Sequence, residues 1–211
     1  MPNLPLLEIF VFAAIAGVVL FRLYSVLGRR TGQERPPQDA YRLGGVRPAA
    51  QPLPAERPSD PVGRGLFDIK LADKSFETDR FTAGARSAYE RIVTAFAAGD
   101  RATFRPLLSD EVYGVFDSAI REREARKESI VFSFVGLKDV KMVEAGMREK
   151  SAEITMSFVG QFTSATSNEK GEVIEGDATT VREVTDVWSF ARDIRARDPG
   201  WLLVATSGEL P

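Results

Sequence analysis

The feature that most constrains this chain is an apolar run close to its amino terminus. Leu6 to Leu27 reads LLEIFVFAAIAGVVLFRLYSVL, and only Glu8 and Arg22 interrupt it. About 20 consecutive apolar residues are enough for a helix to cross the hydrocarbon core of a bilayer. We therefore expect a transmembrane anchor over residues 1–28, and we expect the rest of the chain to act at a membrane surface.

The charges around this run give it a direction. No Lys or Arg precedes it, whereas Arg29, Arg30 and Arg35 follow it. Positively charged flanks are retained on the cytoplasmic side of a membrane. We therefore predict a single-pass topology in which the carboxyl-terminal bulk of the chain is cytoplasmic.

Two other interpretations of the apolar run compete with a retained anchor. A cleaved signal peptide needs a basic start and small residues at the cleavage site. This start is not basic, and Leu27-Gly28-Arg29-Arg30 is a poor cleavage sequence. A buried core helix is disfavoured because a proline-rich stretch follows directly.

The composition excludes several classes of function. The chain contains no Cys and no His, so disulfides, the usual zinc and iron ligand sets, and Ser-His-Asp or Cys-His catalysis are excluded. It also lacks a GxxxxGK[ST] loop and a GxGxxG motif. A net charge of −2 argues against nucleic-acid binding by bulk charge. Carboxylate or Tyr chemistry stays possible, although no spacing demands it.

Residues 29–64 form a second part that is rich in Pro and Arg. This part holds seven of the twelve prolines and shows neither a helical nor a strand period. Such a segment buries too little surface to offset the entropy cost of ordering, so we predict a flexible linker. Its seven Arg against four acids could hold it near anionic lipid, and a merely solvated linker is equally consistent with the composition.

Residues 65–211 have the length of one domain, and helical signals come first. Apolar residues recur at three- and four-residue spacing from Phe81 to Phe96, with Thr78 as a candidate N-cap. Gly99 followed by an acid ends this helix and starts a short one, and a further helix starts at residue 109 or 110. The charged run after it is typical of a solvated helix end.

From about residue 130 the apolar period changes to two, which indicates strands. A first strand is interrupted at Gly136, where we expect a bulge, and residues 152–162 alternate as a half-buried second strand. We predict a polar hairpin turn over 164–176, a third strand over 178–192 and a last strand over 201–206. Helices first and strands afterwards indicate an α+β domain with helices on one face of an antiparallel sheet.

Several blocks of the sequence resemble one known family. They are FRLYSVLGRRTGQERPP at 21–37, FTAGARSAYERIVTAFAAGDRATFRPLLSDEVYGVFDSAIRERE at 81–124, and the strand pair VTDVWSFAR and PGWLLVAT at 184–192 and 199–206. Together they resemble the alphaproteobacterial TimA-type adaptors of the Tim44 family. That family is named for the mitochondrial inner-membrane subunit that docks the protein-import motor.

The resemblance implies both a fold and a role. The fold is a curved, cone-like antiparallel sheet backed by helices, similar to nuclear transport factor two. The role is that of a non-catalytic adaptor at the cytoplasmic face of the bacterial inner membrane, in protein translocation or membrane-protein assembly. A protein partner is expected, with anionic lipid as a further candidate and no cofactor. Mitochondrial relatives recruit a DnaK-type chaperone through a longer region ahead of this domain, where the present chain has only the Pro-rich linker.

One group of candidate site residues lies where the family's lipid-contacting helix begins. The apolar members could enter the headgroup region, and the cations could attract anionic lipid. Asp68 and Asp73 oppose this interpretation, and a short helix packed on the sheet is the alternative. The candidates are Arg64, Leu66, Phe67, Ile69, Lys70, Leu71 and Lys74.

A second group consists of aromatic residues on presumed inward faces. A cone-shaped sheet can leave a cavity at its wide end that accepts an apolar segment or an acyl chain, although such a set also describes an ordinary core. The candidates are Phe96, Phe116, Phe134, Phe158, Trp188 and Trp201.

Asp186 has the same strand parity as the inward-facing Trp188. If Asp186 faced inward it would need a partner such as Arg182 or Arg192, and burial could raise its pKa into the range of a general base. A small-molecule-binding or isomerase-like cone-fold enzyme is therefore the alternative function. It requires a deep polar pocket around Asp186 or a buried Tyr. A structural protein that self-associates through its sheet is a third hypothesis.

Overall fold

The computed structural model describes residues 58–196 and 200–207. The predicted anchor over 1–28 and most of the predicted linker lie outside the described residues. Within the two described ranges, no helix combines the length and the hydropathy that a membrane span requires.

Helices precede strands along the described part of the chain. The helices are α1 (Pro61–Ala72), α2 (Thr78–Ala98), α3 (Arg101–Phe104) with a following 3-10 turn (Arg105–Leu107), and α4 (Asp110–Ala125). The strands are β1 (Ser129–Arg148), β2 (Ser151–Ser167), β3 (Val173–Asp193) and β4 (Leu202–Ser207). They form one curved antiparallel sheet in the order β1-β2-β3-β4, so the predicted α+β class is confirmed.

The local signals in the sequence set the ends of the central helices. Gly99 ends α2 with a left-handed φ of 72°, and the Asp100 side chain caps α3. Ser109 caps α4. These three boundaries agree with the predictions. Helix α2 begins one residue earlier than expected, because Glu77 occupies the N-cap position and Thr78 is already helical.

Helix α1 begins inside the segment that the sequence predicted to be linker. The Asp60 carboxylate accepts a hydrogen bond of 2.6 Å from the backbone N–H of Gly63, and Pro61 occupies the first helical position. A proline fits there because its missing N–H would have no partner within the helix. The folded body therefore starts four residues before the predicted boundary at residue 65.

The strands follow the predicted alternation, but the hairpin between β2 and β3 is longer than predicted. The pairing register shifts between Phe134 and Gly136, as expected for a bulge. Every second residue of β2 from Ala152 to Phe162 is buried. The segment predicted as a turn over 164–176 is mostly strand, and only residues 168–172 connect β2 to β3. Cross-strand backbone pairing holds these polar residues in the sheet.

The core lies between the helices and one face of the sheet. Ile92 of α2, Phe104 of α3 and Ile154 of β2 are fully buried there. Most of the predicted aromatic set belongs to this core: Phe96, Phe116, Phe158 and Trp188 are buried, and Phe134 and Trp201 pack against it while partly exposed. The interior next to the middle of α2 is therefore filled by side chains.

Candidate functional site

Helix α1 packs against β1 through a narrow seam. Gly65 is buried, and a Cβ atom at this position would collide with the backbone carbonyl of Ala145. One turn further on, Ile69 is fully buried in the core. The alternative interpretation of this segment, a short helix packed on the sheet, is thus the observed one. Ile69 was wrongly predicted to contact the membrane, because its side chain has no exposed surface.

The other face of α1 is open to solvent. Leu71 is 65% exposed, Arg64 and Lys70 are also exposed, and Phe67 is half-buried. Lys74, in the turn that follows α1, is exposed as well. Leu66 packs against the core cluster. Contact with lipid stays a prediction for the exposed residues of this group.

Two adjacent cavities open beside α1 and the start of α2, and they share Phe76 and Glu77. The first has a volume of about 410 Å³ and lies between α2, the end of β3 and Trp201. The second measures about 620 Å³ and lies between α1 and α2, where Leu66, Phe67 and Lys70 line it. We call the two together the α1–α2 cleft.

Aromatic rings form much of the inner wall of this cleft. The Phe81 ring lies 4.6 Å from Trp201 and 6.0 Å from Phe190, centroid to centroid. Phe76 lies 6.1 Å from Trp201. Such edge-on and tilted pairs hold their geometry well, so the cleft offers a preformed apolar surface.

A buried ion pair fixes the turn between α1 and α2 to the sheet. The Asp73 carboxylate pairs with the Arg192 guanidinium at the end of β3, and both side chains are nearly buried. Asp73 also accepts hydrogen bonds from the backbone N–H of Ser75 at 2.9 Å and from its hydroxyl at 2.6 Å. Burial lowers the pKa of Arg192, whose guanidinium lies 5.3 Å from the Trp201 ring. Sequence reasoning missed this pair, which joins positions far apart along the chain.

The cleft brings together residues from both predicted groups. Leu66, Phe67 and Lys70 come from the first group, and Trp201 comes from the second. Phe116, Phe158 and Trp188 were predicted as pocket candidates. They line neither cavity of the cleft and are buried in the core. Phe96 lies at the opposite end of α2, and Phe134 lies at a shallow depression beside β1.

Asp186 is buried as its strand parity predicted, but its partner is a tyrosine. The Tyr89 hydroxyl donates a hydrogen bond of 2.6 Å to Asp186 Oδ2. The expected arginine partners were wrong, because Arg192 pairs with Asp73 and Arg182 is exposed. Burial raises the pKa of Asp186 against the opposing effect of the hydrogen bond, and burial also raises the pKa of Tyr89.

The Tyr89–Asp186 pair lies in the packed interior and outside the cleft. The Tyr89 ring lies 4.7 Å from the rings of both Phe158 and Trp188, and neither Tyr89 nor Asp186 lines either cavity of the cleft. Among the described residues, neither cavity of the cleft supplies the deep polar pocket that an isomerase-like site needs around this carboxylate. Within the described part of the chain there is also no group of three acidic residues placed to hold a metal.

Gly160 explains how Tyr89 fits at this point. A Cβ atom at residue 160 would lie 2.5 Å from the Tyr89 hydroxyl. Gly160 occupies an inward position of β2, between Phe158 and Phe162. A glycine within an alternating apolar strand signals the close approach of another group, so the sequence could have marked position 160 as such a point, but not Tyr89 as the group that approaches.

Comparison with known proteins gives one family match over the folded body. The family profile described as Tim44, the Tim44-like domain, matches residues 62–208. The chain is 23% identical over 145 residues to the human mitochondrial import inner membrane translocase subunit TIM44, which is 67% of this chain and 32% of that protein. It is 23% identical over 147 residues to the probable subunit tin-44 of Caenorhabditis elegans, which is 68% and 35% of the two chains.

The chain therefore spans about a third of the length of these relatives. Among solved structures, the intermembrane space region of chloroplast protein ARC6 aligns with a TM-score of 0.44 at 12% identity. That alignment covers 62% of this chain and 97% of the other. A similarity of this size carries no inference about function.

Proposed function

This chain belongs to the family of Tim44-like domains, and from that premise we propose that it is a membrane-associated adaptor that catalyses no reaction. The observation that carries the proposal is the family match over residues 62–208, which covers every described helix and strand except Pro61, the first residue of α1. Its relatives are named as subunits of an inner-membrane import translocase. The proposed role is therefore in protein translocation or in the assembly of membrane proteins.

The proposal extends to the part of the chain ahead of the folded body. Residues 1–28 anchor the protein in a bacterial inner membrane, and residues 29–60 link the anchor to a cytoplasmic domain. The length of the apolar run and the arginines that follow it support this arrangement.

The α1–α2 cleft is the proposed docking site of the adaptor. Its aromatic wall suits an apolar segment of a partner protein or an acyl chain. Lys70 and Arg80 line the cleft together with Glu77 and Asp79, so the charges of these four side chains balance. Leu71 of α1 and the exposed cations on and directly after this helix suit the headgroup region of an anionic membrane. A packed Tyr89–Asp186 pair favours this binding role over the isomerase-like alternative, since no cavity of the cleft reaches its carboxylate.

Deletion of residues 1–30 tests the anchor directly. In cells that naturally produce the protein, the shortened chain should move from the membrane fraction to the soluble fraction. Replacement of residues 6–27 by an unrelated apolar span of the same length should restore membrane association, because only length and hydropathy are required.

Quantitative immunoblotting of the two fractions measures the outcome. A high-salt wash removes contacts between the protein and lipid charges. If the shortened chain stayed on the membrane after this wash, and no membrane-bound partner held it there, residues 1–30 would not be the anchor.

A further inference from the structure

A third cavity lies at the opposite end of α2 from the cleft. Phe81 at the cleft and Phe96 at this cavity are 15 positions apart, which corresponds to about 22 Å along a helix. The cavity has a volume of about 480 Å³. Its walls come from the carboxyl-terminal ends of α2 and α4, the start of β1, and the β2–β3 hairpin.

Three arginines surround an apolar floor in this cavity. Arg123, Arg126 and Arg182 line it together with Phe96 and Phe162. Hydroxyl groups of the β2–β3 hairpin lie beside them. We call this cavity the arginine pocket.

Arg123 carries a half-buried charge that is not neutralised by direct contact. Its guanidinium donates a hydrogen bond of 3.3 Å to the Phe96 carbonyl, and it lies 5.8 Å from the Phe96 ring. Among residues 58–196 and 200–207 it forms no ion pair with a carboxylate. Burial lowers its pKa, but an arginine stays charged in such a setting. Arg126 differs because it pairs with Glu128 at 2.8 Å.

Arg182 is placed at the pocket by a local interruption of β3. Phe162 pairs with Arg182, and the next paired residues are Ser164 and Asp177. Residues 178–181 therefore bulge out opposite a single residue of β2. Bulges of this kind redirect a neighbouring side chain, and Arg182 shares a sheet face with the buried Phe162.

Asp177 holds the bulge in place. Its carboxylate accepts hydrogen bonds from the Thr179 hydroxyl and backbone N–H, both at 2.7 Å, and from the Thr180 hydroxyl at 2.8 Å. These hydrogen bonds lower the pKa of Asp177 to about 2. The neighbouring Gly176 has a φ of 76°, and a Cβ atom there would collide with the Ser164 carbonyl. The wall that presents Arg182 is thus fixed by specific residues.

The pocket has a small excess of positive charge, which favours binding of an anion with a single charge. Three arginines face two acids, Glu128 and Glu175, so the excess is a single positive charge. A guanidinium binds a carboxylate through two parallel hydrogen bonds. The floor of Phe96 and Phe162 suits an apolar group attached to that carboxylate, and the volume suits a small ligand or a short peptide segment.

We propose that the arginine pocket binds a carboxylate carried on an apolar peptide segment of a protein partner. The carboxylate is either the chain terminus or an acidic side chain next to an aromatic or aliphatic residue. This site goes beyond the membrane-adaptor role proposed above and shares no residue with the α1–α2 cleft.

Titration of the whole chain, purified in a non-ionic detergent, tests this proposal. The readout is the NMR signals of the arginine side-chain Nε–H groups. Two probes carry the carboxylate: N-acetylphenylalanine at its terminus and acetyl-Glu-Phe-amide in a side chain. At least one of the two probes should shift the Arg123 and Arg182 signals, and the shift should saturate as the probe concentration rises. The neutral N-acetylphenylalaninamide should bind at least tenfold more weakly.

Substitutions then locate the site. Arg182→Gln should weaken binding of the carboxylate probe about tenfold or more. The affinity of Arg182→Lys should lie between those of this variant and the unaltered chain, because Lys keeps the charge but cannot donate two parallel hydrogen bonds. Arg182 is exposed, so both variants should fold. The matched control is Arg91→Gln, an exposed position on α2 outside the pocket, which should leave the affinity unchanged.

Several results would overturn the assignment. The neutral amide could bind as tightly as the carboxylate, or Arg182→Gln could have no effect. Inorganic phosphate could bind as tightly as the carboxylate probe, which would show that the apolar floor is unused. Phosphatidylglycerol added to the detergent micelles could displace the probe where phosphatidylcholine does not, and the pocket would then be a lipid-headgroup site.

Discussion

The hydroxyl of Tyr89 lies over the backbone of Gly160 and donates a hydrogen bond to Asp186. Asp186 is only 3% exposed, and Tyr89 is its one hydrogen-bond donor among the described side chains. A buried carboxylate with one donor is costly in its charged form. At the scale of single residues, the core therefore contains a group whose protonation is coupled to folding.

Asp186→Asn should stabilise the fold at neutral pH. The folded-state pKa of Asp186 lies above its unfolded value. The stability that the protonated carboxyl group contributes to the fold is therefore fully present below the unfolded pKa, and it is lost as pH rises through the folded pKa. Asn keeps an oxygen acceptor for Tyr89 and carries no charge. We expect a gain of about 1–2 kcal/mol at pH 7, the size of effect typical of a buried polar group that lacks full compensation, or about 3–6 °C in Tm.

Thermal unfolding followed by circular dichroism between pH 4 and pH 7.5 measures this effect. The difference in Tm should shrink as the pH falls, because Asp186 of the unaltered chain then becomes protonated in the folded state. Asp79→Asn changes an exposed carboxylate on α2 and serves as the control. A difference in Tm that does not change with pH would rule out charge burial as the cause.

At the scale of elements, local patterns predicted most of the structure and distant contacts were missed. The alternation in β2 and the Gly99-Asp100 break could be located because each depends on neighbouring residues. The hairpin was predicted too short because its polar residues are held by cross-strand pairing. The Asp73–Arg192 pair could not be predicted, since only the finished fold brings its two partners together.

The packing of α1 on β1 depends on Gly65. A Cβ atom at this position meets the Ala145 carbonyl, so Gly65→Ala should push α1 away from the sheet and expose part of Ile69. We expect a loss of about 2–4 kcal/mol, which is typical of a strained or lost core contact.

Denaturant unfolding monitored by tryptophan fluorescence gives this free energy. Gly84→Ala is a matched control in the exposed part of α2, where a Cβ atom meets nothing within 4 Å. It should stabilise the helix by about 0.5–1 kcal/mol. Equal effects of the two substitutions would show that the Gly65 contact is unimportant.

At the scale of the whole molecule, the two candidate binding regions lie at opposite ends of α2. The α1–α2 cleft is next to the start of the folded body, and the arginine pocket is next to the β2–β3 hairpin. An adaptor with two such separate regions could hold two partners at once. Self-association through the sheet stays a prediction.

The exposed cations of α1 and of the turn that follows it should contribute to binding of anionic lipid. In the chain that lacks residues 1–30, the triple variant Arg64→Gln, Lys70→Gln and Lys74→Gln should bind phosphatidylglycerol vesicles at least tenfold more weakly. Each cation near an anionic surface contributes about 1 kcal/mol. The difference should decrease as salt is raised, because salt screens exposed charges.

Vesicle co-sedimentation measures the partitioning. The control is the triple variant Arg86→Gln, Arg91→Gln and Lys170→Gln, which removes the same charge from exposed positions outside α1. Equal losses in the two variants would indicate a general effect of net charge, and α1 would not be the lipid-contacting element.

The seam between α1 and β1 also has a mechanical consequence. Any tension transmitted along the chain from residues 1–57 enters the folded body at Pro61, the first residue of α1. That load passes to the sheet through the Gly65–Ala145 contact and the Asp73–Arg192 pair. Under a pulling force, α1 would detach first and open the cleft, while the strands behind it stayed folded.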